Sequence, residues 1–229
     1  MMIADKKEFY GGVGLMIGFI IVLILFFSPL YDGKNGLDYL DNLYNSISKG
    51  SAYYIPKVKK EADQFKGKPV TVTLAMENKR QAEETILLFK ASGAKAVLQG
   101  EQLKVTGDLG KILGNCLSDS DDMYENHGEK VSGRYGYDER RVLYNWWKAF
   151  KGMEKDLKKQ KKFKEAKVLD LILSKAVESS YNYYKIDPQS IGDRWGIVLF
   201  SLIFYVIYTM WYGFAIMFMF EGWGLRLEH

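Results

Sequence analysis

The sequence predicts a membrane protein of α+β class, with one transmembrane helix near each end and an extracytoplasmic domain between them. Three observations predict it. Val13–Phe27 and Trp195–Phe220 contain no charged residue. The stretch from Tyr31 to Arg194 holds 29 Lys+Arg against 24 Asp+Glu, a net charge of +5. Within that polar stretch the apolar positions switch between strand-type and helix-type spacing. The mean hydropathy of -0.18 therefore averages two different populations.

Residues 1–10 form a short tail, expected in the cytoplasm. The first span, 11–30, reads GGVGLMIGFIIVLILFFSPL. At 1.5 Å per residue it matches a hydrocarbon core of about 30 Å. The run closes on Phe26-Phe27-Ser28-Pro29-Leu30 with no small-x-small cleavage signal, so a retained signal anchor is expected, ended by Pro29. Gly11, Gly14 and Gly18 share one face, and Gly14-x-x-x-Gly18 is a spacing that lets two helices approach closely. That face suits the chain's own second span or a second subunit equally well.

The second span, 195–220, is bracketed by Trp195 and Trp223 as interface anchors. Ser201, Tyr205, Tyr208, Thr209 and Tyr212 follow helical spacing and make one hydroxyl stripe. Hydroxyls in hydrocarbon require partners, so the stripe is expected to bond across helices; the sharper alternatives are another subunit, a quinone or a pigment. No His or charge lies inside either span, which weighs against an ion pathway or a haem ligand there. Lys6 and Lys7 precede the first span and Arg226 follows the second. The positive-inside rule therefore puts tails 1–10 and 221–229 in the cytoplasm and the domain in the periplasm of a bacterial cell membrane. The terminal Leu227-Glu228-His229 resembles the remainder of an expression tag.

Residues 31–66 read as membrane-proximal helices. Asn35 caps one bearing Leu37, Leu40, Leu43, Tyr44 and Ile47, and Gly50-Ser51 breaks it. Pro56 opens another, with Val58, Ala62 and Phe65 on one side. Residues 67–134 read as a small α+β unit. Pro69–Ala75 alternates as a strand; Asn78 and Gln81 form a capping box before a helix ending near Gly93. Two short strands flank Gly100-Glu101, and Asp108 caps a helix carrying Ile112, Leu113, Cys116 and Leu117. The order βαββα is that of a ferredoxin-like unit, with Val131–Tyr137 the candidate fourth strand. Residues 135–190 read as an αα-hairpin. Leu143, Trp146, Trp147, Phe150, Met153 and Leu157 mark one helix; Leu169, Ile172, Leu173, Ala176, Val177 and Tyr181 mark the other. Seven lysines between Lys155 and Lys167 mark its solvated tip, or a contact with anionic lipid or an acidic partner. Tyr181, Tyr183 and Tyr184 then suit a water–lipid interface.

Searching for chemistry returns little. Asp119, Asp121, Asp122 and Glu125 lack the ligand spacing and glycine of a calcium loop, and His127 has no second His or Cys at zinc spacing, so no metal and no cofactor is expected. A single cysteine excludes an internal disulfide. No phosphate loop, dinucleotide fingerprint, nucleophile elbow or CxxC is present, so no catalytic residue is assigned. The charge excess is too mild to demand nucleic acid. What remains is a non-catalytic accessory or scaffold subunit of an envelope complex. Its expected partners are the bilayer and other membrane subunits or a second copy, with Trp146, Trp147 and Phe150 as partner contacts. The alternatives are an extracytoplasmic ligand-sensing module and an accessory subunit of a membrane redox complex.

Overall fold

The computed structural model describes residues 3–30, 33–100 and 102–225. Glu101 of the hairpin pair, Arg226 and the 227–229 remainder lie outside the described residues. In chain order the elements are α1 (Lys6–Phe27), α2 (Gly36–Ser51), α3 (Ile55–Ala62), β1 (Pro69–Ala75), α4 (Lys79–Ala91), β2 (Lys95–Gln99), β3 (Gln102–Asp108), α5 (Leu109–Tyr124), α6 (Gly128–Tyr135), α7 (Glu139–Lys159), α8 (Phe163–Ile172), α9 (Glu178–Tyr183) and α10 (Ile191–Gly222). The chain is α+β, dominated by helix, with one three-stranded sheet. It divides into two compact units: 1–50 with 188–229, and 51–187.

In the first unit α1 and α10 are long and apolar enough to cross a membrane. Both begin before their uncharged runs because a polar side chain caps each. Asp5 accepts from the backbone N–H of Lys7 at 2.8 Å and of Glu8 at 3.1 Å, and Ser190 accepts from that of Gly192 at 3.1 Å. They pack antiparallel: Asp5 N–H donates to the Gly222 carbonyl at 3.0 Å, Trp211 Nε1 donates to the Leu15 carbonyl at 3.0 Å, and Phe26 stacks on Phe204. α2 runs beside α10, tied by Tyr44 Oη to Ser201 Oγ at 2.6 Å and by the Gln189 N–H to the Ser46 carbonyl at 3.1 Å. α2 ends at Ser51, so the break expected from sequence at Gly50-Ser51 is present.

The second unit is built on a sheet of order β1-β3-β2 with both pairs antiparallel. Val70, Val72, Leu74, Leu103 and Val105 point to the covered face. α4, α5 and α7 bury Leu88, Phe89, Ile112, Leu113, Leu143, Trp146 and Phe150 in one continuous core, each large side chain contributing about 1.5–3 kcal/mol over exposure. α3 adds Ile55, Val58 and Ala62 to that core, so 31–66 divides between the two units.

The candidate fourth strand, Val131–Tyr137, is corrected: the segment forms α6, closed by Gly136 at φ +77°. The edge of β1 where a further strand would pair is already occupied. Asp156 of α7 accepts from the Thr73 N–H at 3.2 Å, and Gln160 donates to the Thr71 carbonyl at 2.9 Å. Side chains from a helix end thus satisfy an edge that a strand would otherwise complete.

α7 and α8 form the expected antiparallel pair, turned at Lys161 with φ +60°. Between α8 and α9 one turn, Leu173–Val177, is π-helical. A π turn inserts a residue into the helical ladder. Past it, Ser180 is buried and Tyr181 is 40% exposed, although α-spacing from Val177 puts Tyr181 on the core face.

Candidate functional site

The turn that moves Tyr181 outward also opens a groove. It holds about 380 Å³ between α7 and the π turn with α9. Leu143 and Val177, both buried, form its floor. Tyr144 and Trp147, three residues apart on α7, stack along one side at 6.4 Å and 19°. Glu178 faces them, its Oε1 accepting from Trp147 Nε1 at 2.8 Å. Tyr181 and Asn182 close the far end.

Cations grip the aromatic rim from outside. Lys148 Nζ lies 5.5 Å from the Tyr144 ring and 5.7 Å from that of Trp147, and it is ion-paired to Glu77 at 2.5 Å. That carboxylate holds the Lys148 ammonium above the usual lysine range. Arg140 lies 5.7 Å from the Tyr181 ring. These contacts fix ring orientation, so the groove is preformed. Among the described residues its lining carries no Ser, Thr, Cys, His or Lys side chain. It can take one apolar or aromatic group, with hydrogen-bonding partners at Glu178 and Asn182.

The same unit holds a buried polar cluster. Asp119 is fully buried and accepts from Tyr135 Oη at 2.6 Å, from Trp146 Nε1 at 2.7 Å and from Arg134. Arg134 also reaches Asp122 at 3.1 Å. Burial pushes Asp119 upward, opposed by these donors. Burial and the Asp119 charge push the Tyr135 phenol far up. Burial likewise pushes the Cys116 thiol up, which makes it a poor nucleophile.

The other sequence-predicted residues separate into distinct roles. Trp146 and Phe150 are corrected as partner contacts: both are fully buried, because α7 turns them onto Phe89 and each other. Trp147 alone of the three reaches the groove. Asp121 is held by Lys59 at 2.7 Å and Tyr53 at 2.6 Å. Among the described residues no group of three or more His, Cys, Asp or Glu side chains could hold a metal. Tyr184 is buried and donates to Glu139 at 2.8 Å; burial and that carboxylate push its pKa up to about 12.

In the first unit a Cβ at Gly18 would meet Trp211 at 3.1 Å, whereas Gly11 and Gly14 face open space. The closest approach of α1 to α10 is instead at Gly12, where a Cβ would lie 2.7 Å from the Met219 backbone nitrogen, and at Gly222 against Phe9. Of the hydroxyl stripe, Ser201 bonds Tyr44, Tyr208 and Tyr212 pack on Phe19, and Thr209 donates back to its own helix at Tyr205 and Val206. Tyr205 is 65% exposed. The π turn was the feature sequence spacing missed; its one trace is Tyr181 standing beside Ser180, with the tyrosine at the expected core position.

No family model, no curated protein and no solved structure matches this chain.

Proposed function

We propose that this chain is a non-catalytic, membrane-anchored interaction subunit of a bacterial envelope complex. α1 and α10 cross the cell membrane, both tails lie in the cytoplasm, and the 51–187 unit works on the extracytoplasmic side. The observation that carries the reading is the groove at Trp147. It is apolar-floored and ring-lined, with Lys148 and Arg140 against its rings, as suits an anchor side chain from a partner protein. The βαββα order with both strand pairs antiparallel supports a ferredoxin-like unit lacking its fourth strand, used as the scaffold for the groove-bearing helices.

A second reading, capture of a small apolar or aromatic solute, is favoured by the volume alone, about 380 Å³, which lies within the usual ligand range. A photo-crosslinking residue placed at Trp147 in intact membranes tests the first reading. A single polypeptide should be captured, and Tyr144→Ala should weaken capture from a probe at Tyr181. If probes at both positions label only lipid or solvent, the protein-docking reading is wrong.

A further inference from the structure

The first unit holds a second, chemically different groove, of about 240 Å³, beside α2. Lys34 and Arg194 both line it, with Tyr39, Asn42, Ser46 and Gln189, and among the described residues no acidic side chain does. Neither cation has a carboxylate within ion-pair distance among the described residues. Arg194 is not loose, however. Its Nε donates to Gln189 Oε1 at 2.8 Å, and Gln189 is itself fixed to α2 through the Ser46 carbonyl at 3.1 Å. That pins the guanidinium plane and leaves its two terminal nitrogens for an oxyanion. Arginine's paired donors match phosphate geometry.

The surroundings distinguish a lipid from a free anion. Arg194 is followed immediately by Trp195, 66% exposed, and then by Leu199, Phe200, Leu202 and Ile203, all exposed on α10. A ligand whose phosphate sits between Lys34 and Arg194 therefore has an uninterrupted apolar helix face on which to lay its chains. A tryptophan at such a boundary marks headgroup depth.

We propose that Lys34 and Arg194 bind the phosphate of an anionic phospholipid, with its acyl chains along the Trp195–Ile203 face of α10. The assignment rests on the membrane reading above but fails separately from it, because loss of lipid preference leaves insertion intact.

The full chain is reconstituted in nanodiscs of equal phosphatidylglycerol and phosphatidylcholine, extracted in mild detergent, and its retained lipid counted by native mass spectrometry. Phosphatidylglycerol should be retained about tenfold over phosphatidylcholine. Lys34→Gln with Arg194→Gln should bring the ratio close to one. Lys6→Gln with Lys7→Gln, at the opposite ends of the spans, should leave it unchanged. Arg194→Gln alone should give a partial loss and serves if the double variant does not insert. Equal retention of the two lipids by the unsubstituted chain overturns the proposal, as does a preference left undiminished by Arg194→Gln or by the double variant. Displacement of the bound lipid by millimolar inorganic phosphate overturns the assignment to a lipid.

Discussion

Asp119 ties α5 to α6 and α7 through one buried carboxylate. Three donors from α6 and α7 converge on one carboxylate that has no exposure to water. Removing it strands Tyr135, Trp146 and Arg134 together. Asp119→Ala should therefore cost about 3–5 kcal/mol of unfolding free energy in a denaturant titration. A cost below about 1 kcal/mol would show that water replaces the carboxylate. Glu84 supplies a pH-dependent counterpart. Burial alone would raise its carboxyl, but hydrogen bonds from Arg141 at 2.5 Å, Asn145 at 3.0 Å and Arg80 at 2.8 Å hold it below the usual glutamate range. A depressed carboxylate adds stability that is fully present above the unfolded pKa, near 4.3, and is lost as pH falls through the folded value. Melting temperature should accordingly drop on acidification below about pH 4. Glu84→Gln should start lower at neutral pH and lose less over the same interval. Parallel curves for the two proteins would rule out Glu84 as a source of the acid sensitivity.

At the scale of elements, the contact between α1 and α10 turns on Gly12. A methyl there meets backbone atoms on α10, while one at Gly14 meets nothing. Gly12→Leu should lower the detergent-solubilised melting temperature by several degrees, and Gly14→Leu should leave it alone unless Gly14 contacts a second subunit. A fall in oligomer mass with Gly14→Leu and an unchanged monomer melt would locate such a contact. Sequence spacing made the helix and strand boundaries legible wherever a cap or an alternation is local: Pro69–Ala75, Asn78 before α4 and Asp108 before α5 appear as read. It pointed to Gly14, which has Gly18 four residues on, and passed over Gly12, which has no small residue three or four away, because the closest approach is set by the partner helix. Nor could it show α6. Val131–Tyr137 has strand-like apolar positions, and the edge it would pair with is taken by Asp156 and Gln160, 19 and 23 residues beyond Tyr137. The groove was half legible. Trp147 was singled out, but so were Trp146 and Phe150, since a helical aromatic run does not say which face is core. Tyr181 was misplaced because a π turn leaves almost no mark in apolar spacing.

At the scale of the molecule, the division into two units has an energetic consequence. The core from Ile55 to Tyr184 is made wholly by residues of 51–187, and the part-buried ion pairs Arg134–Asp119 and Arg141–Glu84 also lie within that unit. The excised 51–187 segment should therefore fold in water without detergent, with cooperative unfolding and a far-ultraviolet spectrum dominated by helix. The same fragment should retain groove binding, because Leu143, Tyr144, Trp147, Val177, Glu178 and Tyr181 all lie inside it. It should show no preference for anionic lipid at the α2 groove, because Lys34 and Arg194 lie outside it. Partner capture with the soluble fragment and lipid preference with the full chain are thus separable measurements. A fragment that collapses into a non-cooperative state would mean that the anchoring helices contribute to the fold, and the division of labour between an interacting body and a lipid-reading anchor would fall with it.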